Sequence, residues 1–201
     1  MKSIMLHVGS DIGFDSRCQV ALDIARRCGG HVTLVQPGLA QDFVAYDMAG
    51  GAHFVAQAFE AAEEARAKDK ERIEADLNNE DVSWDWQIID GTSKSAILGE
   101  AARLSDLAIT SFDPDRKGAG QAARSLIGDL TITGRTPVLA VPAGHHGLKF
   151  GTALIAYDGG PEASFALRCA VPLLAHFEHV KIVEIVYDDG EFPMINVAEY
   201  L

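Results

Sequence analysis

Two places in this 201-residue chain set glycine beside a small polar or acidic side chain just after an apolar run, and a third sets two glycines in a polar loop. That arrangement lets a backbone and a short side chain approach a ligand closely. Gly9-Ser10 follows the run 3–8, and Asp158-Gly159-Gly160 follows Ala153-Leu154-Ile155-Ala156-Tyr157. Gly118 and Gly120 lie in the polar loop after the run 107–110, where their N–H groups could form a nest for an anion. Pro161 comes directly after Gly160, so Asp158 also reads as the N-terminal cap of a helix.

Other reactive side chains lack partners. His7 sits within the first apolar run, where it could face a cleft at the strand end, and reads as a core histidine. His145-His146 are adjacent in a Gly-flanked segment, so their side chains diverge, and a zinc site would need further ligands. Ser10 has no His/Asp partner at a motif spacing, and no G-x-S-x-G is present. Asp188-Asp189-Gly190-Glu191 lacks the EF-hand spacing and reads as a solvated turn. Cys18, Cys28 and Cys169 form no C-x-x-C and fall on apolar faces of predicted helices, as free, buried thiols do. The expectation is therefore no catalytic group, no metal and no enzyme.

Alternating elements must position whatever site exists. A strand at 3–8 is followed by a helix from Ser16 to Cys28, in which Cys18, Ala21, Leu22 and Ala25 share a face and Gly29-Gly30 stop it. A strand at 32–35, a long helix Ala52–Leu77 and an alternating strand at 82–88 come next. That alternation puts Trp84 and Trp86 on one inward face and suits the edge of a sheet. Thr92 or Ser93 caps a helix running to Leu104. The strand 107–110, a helix over about 122–132 and the strand 138–141 complete five strands and four helices. This is the pattern of a doubly wound α/β domain with a parallel sheet and right-handed crossovers.

Composition bounds the partners. With 48 % apolar and 23 % charged residues the chain can bury a core. Its formal charge of −12, with no compensating basic cluster, opposes a phosphate backbone, so no nucleic-acid partner is expected. No apolar run approaches the ~18 residues needed to span a bilayer. Met1-Lys2-Ser3 runs straight into Ile4-Met5-Leu6, too short for a signal-peptide core. A cytoplasmic protein without membrane contact is the expectation.

The pattern then restarts. After a linker at 143–150, a strand at Thr152–Tyr157 leads to a helix with Ala166, Cys169, Ala170, Leu173 and Phe177 on one face. His179-Val180-Lys181-Ile182-Val183 mirrors His31-Val32-Thr33-Leu34-Val35, which argues for duplication. The domains are thus 1–142, a linker, and an incomplete second repeat at 151–201.

These segments resemble the universal stress protein (UspA) family in its tandem form. Ala153 through Gly160 is similar to the family's opening, an apolar strand ending in Asp-Gly-Ser. Gly134-Arg135-Thr136-Pro137-Val138-Leu139-Ala140-Val141-Pro142 resembles the last loop and strand of a first repeat, and Asp106-Leu107-Ala108-Ile109-Thr110 resembles the fourth strand. The loop Asp113-Pro114-Asp115 is of a kind seen in tandem first repeats. The resemblance implies the adenine-nucleotide α-hydrolase-like sheet order 3-2-1-4-5. The ligand crevice would lie at the carboxyl ends of strands 1 and 4, where the strand order reverses. It also implies an Asp after strand 1 for the adenosine end and a Gly-x2-Gly-x9-Gly-Ser/Thr segment after strand 4 for the phosphates.

In the first repeat that site is degenerate. Gly9-Ser10 stands where the Asp belongs. Counting back from Pro137 puts Arg124-Ser125 at the Gly-Ser/Thr, so Ser125 is the matching hydroxyl, while Ser111 and Pro114 replace the two earlier glycines. Pro114 lacks an N–H, and Asp113 and Asp115 would repel a phosphate. The second repeat keeps Asp158 with Gly159 and Gly160, but the segment after its fourth strand is not among these residues. The resemblance implies a non-enzymatic stress-response protein acting through protein contacts, with no cofactor. The alternative is an ATP-binding stress protein whose site lies in a completed second repeat, with at most weak ATP hydrolysis. Family members pair through their last strand, so a homodimer, or pairing between repeats, is expected here through 138–141.

Overall fold

A computed structural model describes residues 1–39, 52–91, 93–112, 119–184 and 194–201. β1 (Ser3–His7) is the central strand because it is apolar on both faces: Ile4, Met5 and Leu6 are at most 1 % exposed. β2 (His31–Pro37) and β4 (Leu107–Phe112) flank it, and β3 (Ser83–Ile89) and β5 (Val138–Pro142) lie outside them. The order is β3-β2-β1-β4-β5, and every pair is parallel. Ile4 stands between Val32 and Leu107, which fixes the register at the centre. The doubly wound sheet expected from the chain's alternating pattern is therefore present, in the order that the resemblance implies.

Strand side chains alternate between the two faces. Met5, Val35 and Ala108 turn to the face where Ile97, Leu98 and Ala102 of α3 (Lys94–Ala102) and Leu130 of α4 (Ala119–Gly134) pack. On the other face α1 (Phe14–Cys28) packs against β1, β2, β4 and β5 through a stripe that includes Val20, Ala21 and Ile24. α2 (Ala52–Leu77) precedes β3 and buries Ile73 and Leu77. Helix ends follow local chemistry. Gly29 closes α1 at φ +60°, a left-handed conformation that glycine adopts without strain. Ser93 Oγ accepts the Ala96 N–H at 3.2 Å and caps α3, two residues shorter at its C-terminus than its periodicity predicts.

Some sequence expectations are modified. Trp84 and Trp86 are half-buried rather than core, because β3 is an edge strand sheltered on one flank only. The cysteines are free but half-buried, since each sits at the rim of its helix's apolar stripe. Burial still pushes the Cys18 thiol up to about 12, with Asp15 adding to the effect, so this sulfur is not a nucleophile near neutral pH.

Residues Lys2–Gly147 and Leu148–Leu201 form two compact units. In the second, β6 (Thr152–Tyr157), α5 (Pro161–Leu174) and β7 (His179–Glu184) make a β-α-β unit, with Ile155 opposite Ile182 in a parallel pair. Tyr157 and Leu167 pack with Val197 of α6 (Met194–Tyr200) to form its small core. β6-α5-β7 thus repeats the order of β1-α1-β2. Among the described residues no helix is long and apolar enough to cross a membrane.

Candidate functional site

The strand order reverses between β1 and β4, so the crevice at their carboxyl ends is where an open α/β sheet takes a ligand. Arg17, one helical turn into α1, reaches into that crevice and is fully buried. The helix that carries it is capped by Gly13, where an added Cβ would meet Ser111 of β4. All five guanidinium hydrogens are used. Nε donates to the His7 carbonyl at 2.7 Å, and Nη2 donates to the Gly9 carbonyl at 3.3 Å. Nη1 and Nη2 donate to the two carboxylate oxygens of Asp11 at 2.6 and 2.8 Å, a bidentate pair. Nη1 also donates to Ser111 Oγ at 2.9 Å, and Ser111 Oγ donates to the Gly13 carbonyl at 2.9 Å.

The guanidinium therefore ties the β1–α1 loop to the end of β4. Burial opposes ionisation of Asp11, but its bonds from Arg17 and from the Gly13 N–H outweigh this and hold its carboxyl below the ordinary range. Beneath the cluster, His7 Nδ1 lies 3.2 Å from the buried Thr110 Oγ1, while Nε2 has no hydrogen-bond partner. An orphaned lone pair costs less than an orphaned N–H, so Nδ1 carries the proton.

Gly13 is needed for space. A Cβ there would stand 2.5 Å from Ser111 Oγ and 2.6 Å from Ser111 Cβ. Gly13→Ala is expected to cost about 1–3 kcal/mol by overpacking, measured as a lower urea midpoint. Ser111→Ala should not rescue it, because the Cβ of residue 111 remains in the way.

The candidate ligand residues are dispersed. Gly9 and Ser10 line a cavity of about 310 Å³ at the end of β1 with Asp11, Gln36, Asp69, Lys70, Arg72 and Trp86. That volume is at the lower end for small-molecule sites. Its polar groups largely satisfy one another: Trp86 Nε1 donates to Gln36 Oε1 at 3.2 Å, and Ser10 Oγ donates to Asp69 at 3.5 Å. Lys70 Nζ lies 5.6 Å from the centre of the Trp86 ring. Gly118 lies outside the described residues. Gly120 and Ser125 fall within α4, so the backbone at Gly120 is helical rather than an open loop.

Asp158, Gly159 and Gly160 form a turn in the second unit. Asp158 Oδ1 accepts the Gly160 N–H at 2.9 Å, and Gly159 has φ +82°. Asp158 is thus not the cap of α5, as expected from its place before Pro161; Gly160 holds the cap position, and the carboxylate closes the turn before it.

Arg17, Asp11 and Ser111 are not among the site residues that the sequence motifs single out. A signal did exist, since Arg17, Val20, Ala21 and Ile24 share the apolar stripe of α1 and a cation there requires a buried partner. Among the described residues no cluster of three His, Cys, Asp or Glu could hold a metal ion.

No family model and no curated protein matches the chain. Among solved structures, one described as a crystal structure of a universal stress protein in complex with cAMP aligns at 18 % identity with a TM-score of 0.42. The alignment covers 72 % of this chain and 100 % of the other.

Proposed function

We propose that the chain is a universal stress protein-like, tandem-type stress-response protein that acts through protein contacts, and that its first unit does not bind ATP. The sheet order and the segments that resemble the family support the family reading. One observation carries the ligand reading: the Arg17 guanidinium occupies the β1–β4 crevice with every donor engaged. A phosphate entering there would have to displace the Asp11 carboxylate from its bidentate pair with the guanidinium.

Calorimetric titration of the purified chain with ATP, with and without Mg²⁺, is the test. No binding tighter than ~100 μM, about −5.5 kcal/mol, is expected. Tighter binding would overturn the proposal for the first unit unless Asp158→Ala abolished it. That outcome would support the second reading, a nucleotide site in the second unit, which the exposed Asp158 and its glycine turn favour. Cyclic AMP belongs in the same titration series.

A further inference from the structure

At the opposite end of the strands from the Arg17 cluster, the register of β2 against β3 sets His31 directly opposite Ser83. Period-two alternation puts Ser83, Asp85 and Gln87 on the same face as His31 and Thr33. The side chains interlock. His31 Nδ1 lies 2.7 Å from Ser83 Oγ, and His31 Nε2 lies 2.8 Å from Asp85 Oδ1. Gln87 Nε2 donates to Asp85 Oδ2 at 2.9 Å, and the Thr33 side chain is a further hydrogen-bond partner of Asp85. The carboxylate is thus fixed through both oxygens.

These bonds also fix the imidazole tautomer. Burial opposes ionisation of Asp85, but the hydrogen bonds from Thr33, His31 and Gln87 outweigh it and hold the carboxyl below its ordinary range. An ionised carboxylate only accepts, so Nε2 carries the proton and Nδ1 presents its lone pair to the Ser83 hydroxyl. A serine, a basic nitrogen and an orienting carboxylate in that relation form an acid–base relay, recognised by geometry rather than by order in the chain. Here the roles of the two ring nitrogens are reversed relative to the serine-protease arrangement, which is chemically equivalent. Ser83 is exposed, and the His31 and Asp85 side chains are 41 % and 40 % exposed, so a small reagent can reach the hydroxyl.

We propose that Ser83, with His31 as general base and Asp85 as positioning residue, is a nucleophile toward small, unhindered carboxylic esters. The Ser83 oxygen bonds to the ester carbonyl carbon as its proton passes to His31 Nδ1. The bond to the alcohol oxygen then breaks, and His31 returns the proton to the departing alkoxide. Water attacks the acyl-Ser83 in the same manner and releases the carboxylic acid. This activity is independent of the proposed stress-response role and of the β1–β4 crevice.

The full chain is incubated with p-nitrophenyl acetate, and separately with a small alkyl fluorophosphonate, and adducts are located by intact mass and peptide mapping. One adduct on Ser83 is expected, absent in Ser83→Ala and unchanged in Ser105→Ala. His31→Gln should slow labelling roughly a hundredfold, at the lower end of general-base catalysis. Thermal melting of each variant should match the parent, which checks that the substitutions leave the fold intact. For Asp85, long-range ¹H–¹⁵N spectra should show the His31 proton on Nε2 in the parent and on Nδ1 in Asp85→Asn. No adduct, an adduct on another residue, labelling equal to that of urea-unfolded chain, or a rate indifferent to His31→Gln would each overturn the proposal.

Discussion

Replacing Arg17 with methionine is expected to lower folding stability by about 3 kcal/mol, read as a drop in urea midpoint at unchanged slope. Methionine keeps the apolar stem that packs in α1 but supplies none of the five donors. The carbonyls of His7 and Gly9 then lose a charged partner, and the Asp11 carboxylate loses its counter-ion. Breaking a buried pair costs about 3–5 kcal/mol; the lower end applies because 36 % of the Asp11 side chain still meets water. Asp11→Ala should cost at least as much, since it strands a guanidinium that is fully buried. The double variant Arg17→Met/Asp11→Ala should cost clearly less than the sum of the two single changes, as expected of groups that act as one unit. Additivity within roughly 0.5 kcal/mol would mean that the pair does not hold the crevice shut.

The same cluster shows how far the chain's pattern can be read. The central strands announce themselves because parallel strands buried on both faces must be apolar throughout, as Ile4-Met5-Leu6 and Leu107-Ala108-Ile109 are. Arg17 could be flagged from its place on the helical stripe, yet its partners could not be named. The bond to Ser111 spans 94 positions and depends on β4 pairing with β1. Ser83 and His31 are hidden for a similar reason. They lie 52 residues apart, and only the register of β2 on β3 makes them neighbours. The tryptophans show the converse limit, since alternation gives the face of a strand but not how much of that face a helix covers. Asp158 differs again: an acidic residue before Gly-Gly-Pro fits a helix cap and a closed turn equally well, and backbone dihedrals decide between them.

Acid is expected to weaken the fold through His7 at a higher pH than through Asp11. This histidine is 7 % exposed, and its pKa is lowered to about 3. Burial is the main cause, Arg17 and Lys94 add to it, and Asp11 opposes it. In the unfolded chain the imidazole titrates near 6.5. Between these values the unfolded state binds one more proton than the native state, so stability rises with pH and is lost as pH falls from about 6.5 toward about 3. The slope approaches 1.4 kcal/mol per pH unit, and linkage gives a loss of about 2 kcal/mol between pH 7 and pH 5 from this one residue. Asp11 acts in a lower window. Its folded pKa is depressed, so its contribution is present above the unfolded value near 3.8 and is lost only as pH falls below it. Urea unfolding at several pH values should therefore give a parent curve that falls between pH 7 and pH 5, and a flatter one for His7→Phe, which keeps a ring in the site but cannot titrate. The difference between the curves isolates His7 from the six other histidines. Parallel curves would mean that His7 is protonated in the native state. The neutral imidazole beneath Arg17, and with it the electrostatic account of the closed crevice, would then be wrong.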